Sequence, residues 1–255
     1  MKRSVIIDFL PESVRRYRSG WAIVAIDVIR ATTTAITAAA TGRRCFPAPT
    51  IEAALALAEE FKDPLLAGES GGALPAGFEM DNSPAHIFSR TDIHRPLVLV
   101  SSSGTKLIHE AKGCDALYLG CFRNHSALPS HLAENHSRVA IIGAGSKGEF
   151  REEDQICCAW VAAGLMQHGY TPVGPLTESV VNRWKNVPAE ACLCSRSVDF
   201  LKRTRRFSDL DFILQHVDDL PNVFAVQNRE ITTMSRDEAF KAADVPNMLP
   251  ATLGF

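Results

Sequence analysis

The sequence has little of what marks membrane, secreted or nucleic-acid-binding proteins. Its formal net charge is −2 over 255 residues, so no overall basic field favours nucleic acid or an anionic membrane surface. No apolar run approaches the roughly 20 residues that a membrane-spanning helix needs. The apolar part of the N-terminal MKRSVIIDFLPESV is too short for a signal peptide. We therefore expect a cytoplasmic protein whose partners include neither nucleic acid nor a membrane.

The cysteines lack any metal-binding spacing. There are seven of them, an odd number. Two pairs lie close in sequence, Cys157 with Cys158 and Cys192 with Cys194, and neither matches a zinc site. We expect reduced and mostly buried thiols, which are typical of cytoplasmic proteins.

The pattern of the first two thirds of the chain predicts an α/β fold. Apolar residues make up 46% and charged residues 22% of the sequence, a balance that suits a sizeable core. A short apolar run, a small polar loop and a helical pattern recur, as in WAIVAIDV followed by RATTTAITAAATG. Apolar strands without alternation, each followed by a helix, indicate a mostly parallel or mixed sheet with helices on both faces. We predict a layered α/β/α fold.

The last third has a different pattern. TESVVNRWKN, PAEACLCSRS and VDFLKRTRRFSDLDFILQHV predict helices, and only NVFAVQ (222–227) predicts a strand. The basic KRTRR (202–206), beside the acidic DLD (209–211), is interpreted as a solvated helix face. Because no Ser/Gly-rich linker separates the two parts, we predict one α/β unit over 1–255. A division into a strand-loop-helix core at 1–170 and a helix-rich part at 171–255 is the alternative.

Unusual polar residues end the apolar run in VAIDVIRATTT (24–34). In open α/β sheets, ligands bind at the carboxyl ends of strands, where loops meet helix N-termini. A carboxylate such as Asp27 can hold a divalent cation there, while helix-start amides and the hydroxyls of Thr32 and Thr33 can hold an anion. A capped helix beside a buried pair of Asp27 and Arg30 is the alternative, and this segment alone does not decide between them.

The second loop, GESGGALPAGFEMDNSP, is long and rich in glycine. Glu69 follows a buried strand directly, which makes it a candidate metal ligand. A loop of this length in a compact domain is more often functional than idle. Its last residues, Asn82 and Ser83 before Pro84, also fit a simple helix start with Ser83 as N-cap.

The third loop, SSSGTK (101–106), has the composition of a phosphate cradle. Backbone amides approach a ligand closely at a glycine, hydroxyls donate hydrogen bonds, and a lysine adds charge. The candidates are Ser102, Ser103, Gly104, Thr105 and Lys106. The loop is not a Walker A motif, because the Gly-Lys-Ser/Thr arrangement is absent. A helix N-terminus that binds nothing is the alternative.

The fourth loop, GAGSKG (143–148), has the spacing of a dinucleotide-binding motif without its surroundings. The next residues, EFREED, would repel a pyrophosphate, and the acid expected about 20 positions later is absent. Four acids in six residues beside Lys147 indicate a metal or acid/base site. Acids favoured by the helix dipole in a first turn are the alternative. These acids are Glu149, Glu152, Glu153 and Asp154.

Together these loops resemble those of the magnesium-dependent 2-phosphosulfolactate phosphatases. DVIRATTT, LLAGES…GFEMDNSP, LVLVSSSGTK and GAGSKGEFREED match that family in order and spacing across roughly residues 20–165. The resemblance implies a Mg²⁺-dependent acid phosphatase acting on phosphate esters of small 2-hydroxy acids. The reference substrate is phosphosulfolactate, on the route to coenzyme M. Another phosphatase class, the haloacid dehalogenases, places a second aspartate two positions after the first, where this chain has Ile29.

The resemblance also implies roles for particular residues. Catalysis would involve Asp27, Arg30, Lys106 and Glu153. Mg²⁺ would be held by Asp27, Glu69, Glu149 and Asp154. Substrate and phosphate would be bound by Thr32, Thr33, Asn82, Ser83, Ser102, Ser103, Gly104, Thr105 and Lys147. The chain departs from the usual family motifs at Asp81, Ser103 and Cys158-Ala159, and the first two departures bear on substrate choice.

Several alternatives stay open at this point. Asp27 is either a metal ligand or a nucleophile that forms an aspartyl-phosphate, and the sequence does not say which acids of EFREED bind the metal. The substrate could be another phospho-2-hydroxy acid or a phosphonate. A non-catalytic protein that binds a phosphorylated metabolite is the rival from another class. The sequence does not determine the oligomeric state, for which a homodimer is a guess.

Overall fold

The computed structural model describes residues 2–234, which form two β-sheets with helices packed around them. The strands are β1 (Ser4–Phe9), β2 (Ala22–Ile26), β3 (Cys45–Ala48), β4 (Leu65–Gly68), β5 (Leu97–Val100), β6 (Ala116–Gly120), β7 (Arg138–Gly143), β8 (Thr171–Pro172), β9 (Val223–Gln227) and β10 (Glu230–Met234). The larger sheet has the order β10-β9-β6-β2-β7-β1-β8 and the smaller has the order β3-β5-β4. All pairings are parallel except those of β9 with β6 and β10.

Helices follow most of the strands. They are α1 (Ala31–Ala40), α2 (Ile51–Ala58), α3 (Pro84–Ser89), α4 (Gly104–Glu110), α5 (Ala127–Asn135), α6 (Glu152–Gln167), α7 (Pro175–Trp184), α8 (Arg196–Arg203) and α9 (Phe207–Gln215). Short 3₁₀ helices lie at Pro11–Arg16 and Ala189–Cys194. Within residues 2–234, no helix is both long enough and apolar enough to cross a membrane.

Both faces of the larger sheet are covered, as the non-alternating strands predict. β2 is buried along its whole length. Ile23 and Ala25 pack with α1 and α4 on one face, whereas Val24 and Ile26 pack with α6 on the other. Successive side chains of a strand point to opposite faces, so a strand between two helical layers needs no polar side. The predicted layered α/β/α fold is confirmed.

The smaller sheet is a departure from the single sheet that the sequence predicts. Within residues 2–234, β3, β4 and β5 pair with one another and with no strand of the larger sheet, and one face of this sheet packs on α2. The pattern of apolar strand and helix is the same in both sheets, so it identifies parallel strands without identifying their neighbours. The division matters for function, because the predicted site loops follow strands of both sheets.

The C-terminal part and the N-terminus also differ from prediction. PAEACLCSRS forms a 3₁₀ helix only over Ala189–Cys194, and α8 begins at Arg196 within it. The segment 198–217 is divided between α8 and α9 by a break at 204–206. The unpredicted β10 pairs antiparallel with β9 across Asn228 and Arg229, whose positive φ values of 49° and 70° suit a tight hairpin. SVIIDF, considered above only as an apolar N-terminal segment, forms β1 between β7 and β8.

Candidate active site

One cavity lies where the carboxyl ends of strands from the two sheets meet. Its volume is about 480 Å³, and it contains residues that follow β2, β4, β5 and β7. Its charged lining residues are Asp27, Arg30, Glu69, Lys147, Arg151, Glu153, Asp154, Arg196 and Arg203. Two other cavities, of about 640 and 750 Å³, are larger but contain none of these four carboxylates. The smaller cavity is therefore the candidate active site because of the carboxylates that line it, and not because of its volume.

Asp27 is fixed at the end of β2 by the helix that follows. Its backbone N–H donates to Thr32 Oγ1 at 3.0 Å, and Ala31 N–H donates to the carboxylate Oδ1 at 3.3 Å. Thr32 Oγ1 also lies 2.8 Å from the carbonyl oxygens of Asp27 and Gly120, which ties the loop to β6. Thr32 thus holds the loop from within, and the carboxylate of Asp27 lines the cavity.

The start of α4 lies directly against Asp27. A methyl group built on Gly104 would come within 2.4 Å of Asp27 Oδ2 and 2.6 Å of Ala31 Cβ. No real side chain tolerates such contacts, so only glycine allows this close approach. SSSGTK therefore brings a helix N-terminus next to the carboxylate.

Two buried acids from the first turn of α6 lie near Asp27. Asp154 Oδ1 accepts from Val28 N–H at 2.9 Å, whereas Oε2 of Glu153 has no hydrogen-bond partner among the described residues. Burial raises the pKa of Asp27 to about 7, and the charges of Glu69 and Glu153 add to that rise. Burial likewise raises the pKa values of Glu153 and Asp154. Carboxyl groups that are buried away from water and close to other carboxyl groups lose their charge unless a cation compensates it.

Glu69 joins the loops that follow β4 and β5. Its carboxylate accepts from Ser102 N–H at 2.7 Å, from Ser102 Oγ at 2.8 Å and from Gly72 N–H at 2.8 Å. Ser102 Oγ in turn accepts from Gly71 N–H at 2.9 Å. Glu69 therefore shapes both loops, in addition to any contact with a metal.

Arg30 is buried between two carboxylates. Its Nη1 lies 2.6 Å from Asp209 Oδ2, and its Nη2 lies 2.9 Å from Asp81 Oδ2. Asp209 also accepts from Ser83 Oγ, and Asp81 also pairs with Arg206. The sequence alternative of a buried pair between Asp27 and Arg30 is therefore not what forms. Arg30 is buried in ion pairs, but both acids come from other parts of the chain.

Three further predicted residues are hydrogen-bonded within the fold. Thr33 Oγ1 donates at 2.7 Å to the carbonyl five residues before it. Thr105 and Ser101 form two hydrogen bonds with each other. The backbone N–H of each residue donates to the side-chain hydroxyl of the other residue at 2.9 Å. Ser83 is the N-cap of α3 and accepts from His86 N–H at 3.2 Å. None of the three predicted residues lines the cavity, and their contacts to phosphate stay predictions.

Asn82, Ser103 and Lys147 give the cavity polar groups of different kinds. Asn82 is 2% exposed, and its Oδ1 has no hydrogen-bond partner among the described residues. Ser103 immediately precedes α4, and Lys147 is exposed in the loop after β7. A buried amide without a partner at a cavity wall is a group that a ligand can satisfy.

Lys106 lies outside the cavity. Its Nζ is 2.6 Å from Glu12 Oε1, on the surface of the protein. Helix residues two apart are turned by about 200° from each other, so Lys106 points away from the side on which Gly104 meets Asp27. The structure does not bring Lys106 to the other predicted residues, and its catalytic role stays a prediction.

Glu149 is engaged with two arginines. Its carboxylate lies 2.6 Å from Arg151 Nη1 and also pairs with Arg196. Both of these arginines line the cavity, whereas Glu149 does not. A metal contact by Glu149 would compete with both ion pairs and stays a prediction.

The wall of the cavity formed by α8 was not predicted from the sequence. Phe200 and Arg203 of α8 line the cavity, and Arg206 just beyond it pairs with Asp81. The interpretation of KRTRR as a solvated helix face is therefore wrong for Arg206, which is half-buried in an ion pair, whereas Arg203 is exposed as predicted but also lines the cavity. No local pattern reveals such a role, because Asp81 lies 125 residues from Arg206 in the chain.

The described residues do not contain a ready-made metal centre. Within residues 2–234, no three His, Cys, Asp or Glu side chains are positioned to hold one metal ion together. The chemistry of the acids still fits Mg²⁺, which prefers carboxylate oxygens and keeps several waters. The partnerless Oε2 of Glu153 is a free ligand atom. Mg²⁺ therefore stays a prediction.

Known proteins are similar in sequence to most of this chain. A family profile described as 2-phosphosulpholactate phosphatase matches residues 8–229. Three similar curated proteins are each named probable 2-phosphosulfolactate phosphatase. The protein of Pseudothermotoga lettingae is 36% identical over 157 residues, 62% of this chain and 66% of that protein. That of Deinococcus radiodurans is 33% identical over 214 residues, 82% and 88% of the two chains. That of Symbiobacterium thermophilum is 37% identical over 161 residues, which are 62% of this chain and 67% of that protein.

The profile spans the loops after β2, β4, β5 and β7, so the match includes the cavity as well as the fold. The expected resemblance is confirmed over a longer part of the chain than the four motifs cover. On this basis the chain belongs to the 2-phosphosulpholactate phosphatase family, whose named members are phosphoric monoester hydrolases.

Proposed function

We propose that the protein is a Mg²⁺-dependent phosphatase that hydrolyses 2-phosphosulfolactate to sulfolactate and inorganic phosphate. The composition of one cavity supports this most strongly. The buried carboxylates of Asp27, Glu153 and Asp154 lie at the strand ends, and basic side chains from α8 and from the loop after β7 line the same space. A phosphate ester that carries further acidic groups suits a cavity with a metal-binding end and a basic end.

Mg²⁺ is part of the proposal because the buried acids require a cation. The raised pKa of Asp27 and the partnerless oxygen of Glu153 indicate carboxyl groups whose charge the surrounding side chains, Arg30 included, do not fully compensate. Asp27 and Glu153 would hold the ion, with Asp154 or Glu69 beside them. Because no group of three ligands is preformed in residues 2–234, some of these side chains must rotate on binding. Bound Mg²⁺ would neutralise charge on the transferring phosphoryl group.

Groups of the chain itself would position the phosphate. The N-terminus of α4 lies against Asp27, and the positive end of a helix dipole suits phosphate oxygens. Ser103 and Asn82 line the same cavity. Arg30 is already neutralised by two carboxylates, so it would hold the loop in place. Asp27 must be ionised whether it acts as a metal ligand or as the attacking nucleophile.

The surroundings of the reaction belong to the same proposal. We place the protein in the reducing cytoplasm, because all seven cysteines are free and only Cys194 is exposed. A place in coenzyme M biosynthesis follows from the proposed substrate. The homodimer and the absence of nucleic-acid partners stay predictions.

Phosphate release from 2-phosphosulfolactate tests the proposal. The purified protein is assayed with Mg²⁺, with EDTA, and with Mg²⁺ restored after EDTA. We expect release with Mg²⁺, loss of release with EDTA and recovery on restoration. A parallel panel contains 2-phospholactate, phosphoglycolate and a phosphonate analogue.

The outcomes separate the alternatives. Release from a panel member but not from 2-phosphosulfolactate would leave a phosphatase with a different substrate. Measurable binding of these compounds without release from any of them would contradict the proposal and favour a non-catalytic binding protein.

A further inference from the structure

The cavity contains five cationic side chains, and their ion pairs divide them into two groups. Arg30, Arg151 and Arg196 are each paired with carboxylates of the protein. Lys147 and Arg203 form no ion pair within residues 2–234. A cation without an internal partner at a cavity wall is free to bind an anionic ligand.

The two unpaired cations lie at the mouth of the cavity. Both residues are exposed, whereas Asp27 and Glu153 are 8% and 1% exposed at the inner end. Arg203 is the last residue of α8, and its Nε donates to Asp199 O at 3.3 Å. Its two Nη groups have no hydrogen-bond partner among the described residues and provide the planar fork that binds two oxygens of one acid.

The position of α8 beside the cavity is fixed by contacts with the loop after β4. Arg206, three residues after Arg203, pairs with Asp81 and lies over the Phe200 ring at 5.3 Å. Gly72 of that loop leaves room for Phe200, since a methyl group on Gly72 would come within 2.8 Å of the ring. Arg203 is therefore carried by an anchored helix and not by a free surface segment.

We propose that Arg203, together with Lys147, binds the terminal sulfonate of the substrate and makes the enzyme select sulfonated esters. The inference rests on the proposed function, which assigns the phosphate to the inner end of the cavity beside Asp27. In 2-phosphosulfolactate the phosphate is on C2 and the sulfonate is on C3. With the phosphate at the inner end, the sulfonate extends towards the mouth, where Arg203 and Lys147 lie.

The test compares an ester that carries the sulfonate with one that lacks it. Phosphate release from 2-phosphosulfolactate and from 2-phospholactate is measured for the wild type, for Arg203→Met and for Lys202→Met. Lys202 is the matched control, because it is an exposed cation of the same helix that does not line the cavity. We expect Arg203→Met to lower kcat/KM for the sulfonated ester about tenfold or more, mainly through KM. It should leave the value for 2-phospholactate within about twofold, and Lys202→Met should change neither.

A binding measurement makes the result independent of turnover. Titration calorimetry of sulfolactate and of lactate is carried out with the wild type and with both variants. Tighter binding of sulfolactate that Arg203→Met weakens about tenfold supports the inference. Equal affinity of the wild type and Arg203→Met for sulfolactate, no sulfolactate binding at all, or an unchanged ratio of kcat/KM for the two esters would overturn it. Absence of phosphate release from the wild type would refute the phosphatase proposal, and the calorimetry would then decide on Arg203 alone.

Discussion

Arg30 and Asp209 are 179 residues apart in the chain, and their side chains meet with Nη1 2.6 Å from Oδ2. Both are almost fully buried, at 4% and 3% exposure. The pair joins the loop after β2 to the first turn of α9. The helix-rich C-terminal part is therefore bound to the site by charge as well as by apolar packing, and the buried Arg30 depends on it for one of its two carboxylates.

Asp209→Asn should destabilise the protein strongly. The change leaves the charge of Arg30 in a buried place with only the half-buried Asp81 to compensate it, and breaking a buried pair costs about 3 kcal/mol. Urea denaturation measures the loss of unfolding free energy. Asp211→Asn is the matched control, because Asp211 is exposed on the same helix, and we expect it to cost less than about 0.5 kcal/mol. Equal effects of the two changes would show that the pair contributes little.

Gly104→Ala should impair the site more than the fold. The added methyl group would lie within 2.4 Å of Asp27 Oδ2, so either the carboxylate or α4 must move. We expect phosphate release to fall at least about tenfold, with a loss of stability of about 1–3 kcal/mol from the overpacking. Gly113→Ala is the control, because Gly113 has a φ of +81° and open space around it. It should lose about 1 kcal/mol through backbone strain and keep its activity. Full activity of a folded Gly104→Ala protein would contradict this view of the α4 N-terminus.

Asp27→Asn should stabilise the metal-free protein at alkaline pH. Burial raises the pKa of Asp27 to about 7 in the folded state, whereas the unfolded value is about 3.9. The folded state holds the proton more tightly, so the stability that this group contributes is lost as the pH rises from about 4 to about 7. Asparagine does not ionise, and the variant should therefore exceed the wild type by about 4 kcal/mol at pH 8, because the two pKa values differ by about three units.

Urea denaturation in EDTA at pH 4.5 and pH 8 checks the direction of this effect. The advantage of the variant should be small at the lower pH and larger at the higher pH. Saturating Mg²⁺ at pH 8 should reverse the order, because the ion stabilises only a protein that binds it. The same difference between the variant and the wild type at both pH values would contradict the raised pKa.

Much of the site was predictable because its signals are local. Asp27 follows an apolar strand and precedes a helix, and the acids of EFREED open α6, so the strand-loop-helix pattern alone places them at strand ends. In a parallel arrangement such ends share one edge. Asp27, Glu153 and Asp154 therefore line one cavity, although their exact tasks stay predictions.

What the sequence did not predict depends on contacts between distant residues. Arg203 and Arg206 have the local sequence pattern of ordinary surface arginines, and only the path of the chain brings Arg206 to the loop after β4 and Arg203 to the cavity. Lys106 has the composition of a phosphate ligand, but the rotation of α4 turns it towards Glu12. β3, β4 and β5 have ordinary apolar strand patterns, which do not specify the sheet that a strand joins.

Phosphate release by the Asp27→Asn variant is the most direct measurement of whether this cavity performs the reaction. The variant keeps the size of the side chain and removes its charge, and circular dichroism verifies that it is folded. With 2-phosphosulfolactate and Mg²⁺, we predict a fall in kcat of about a thousandfold or more, since both the metal ligand and the nucleophile require the carboxylate. Turnover close to that of the wild type from a folded Asp27→Asn protein would contradict the assignment of this cavity as the active site.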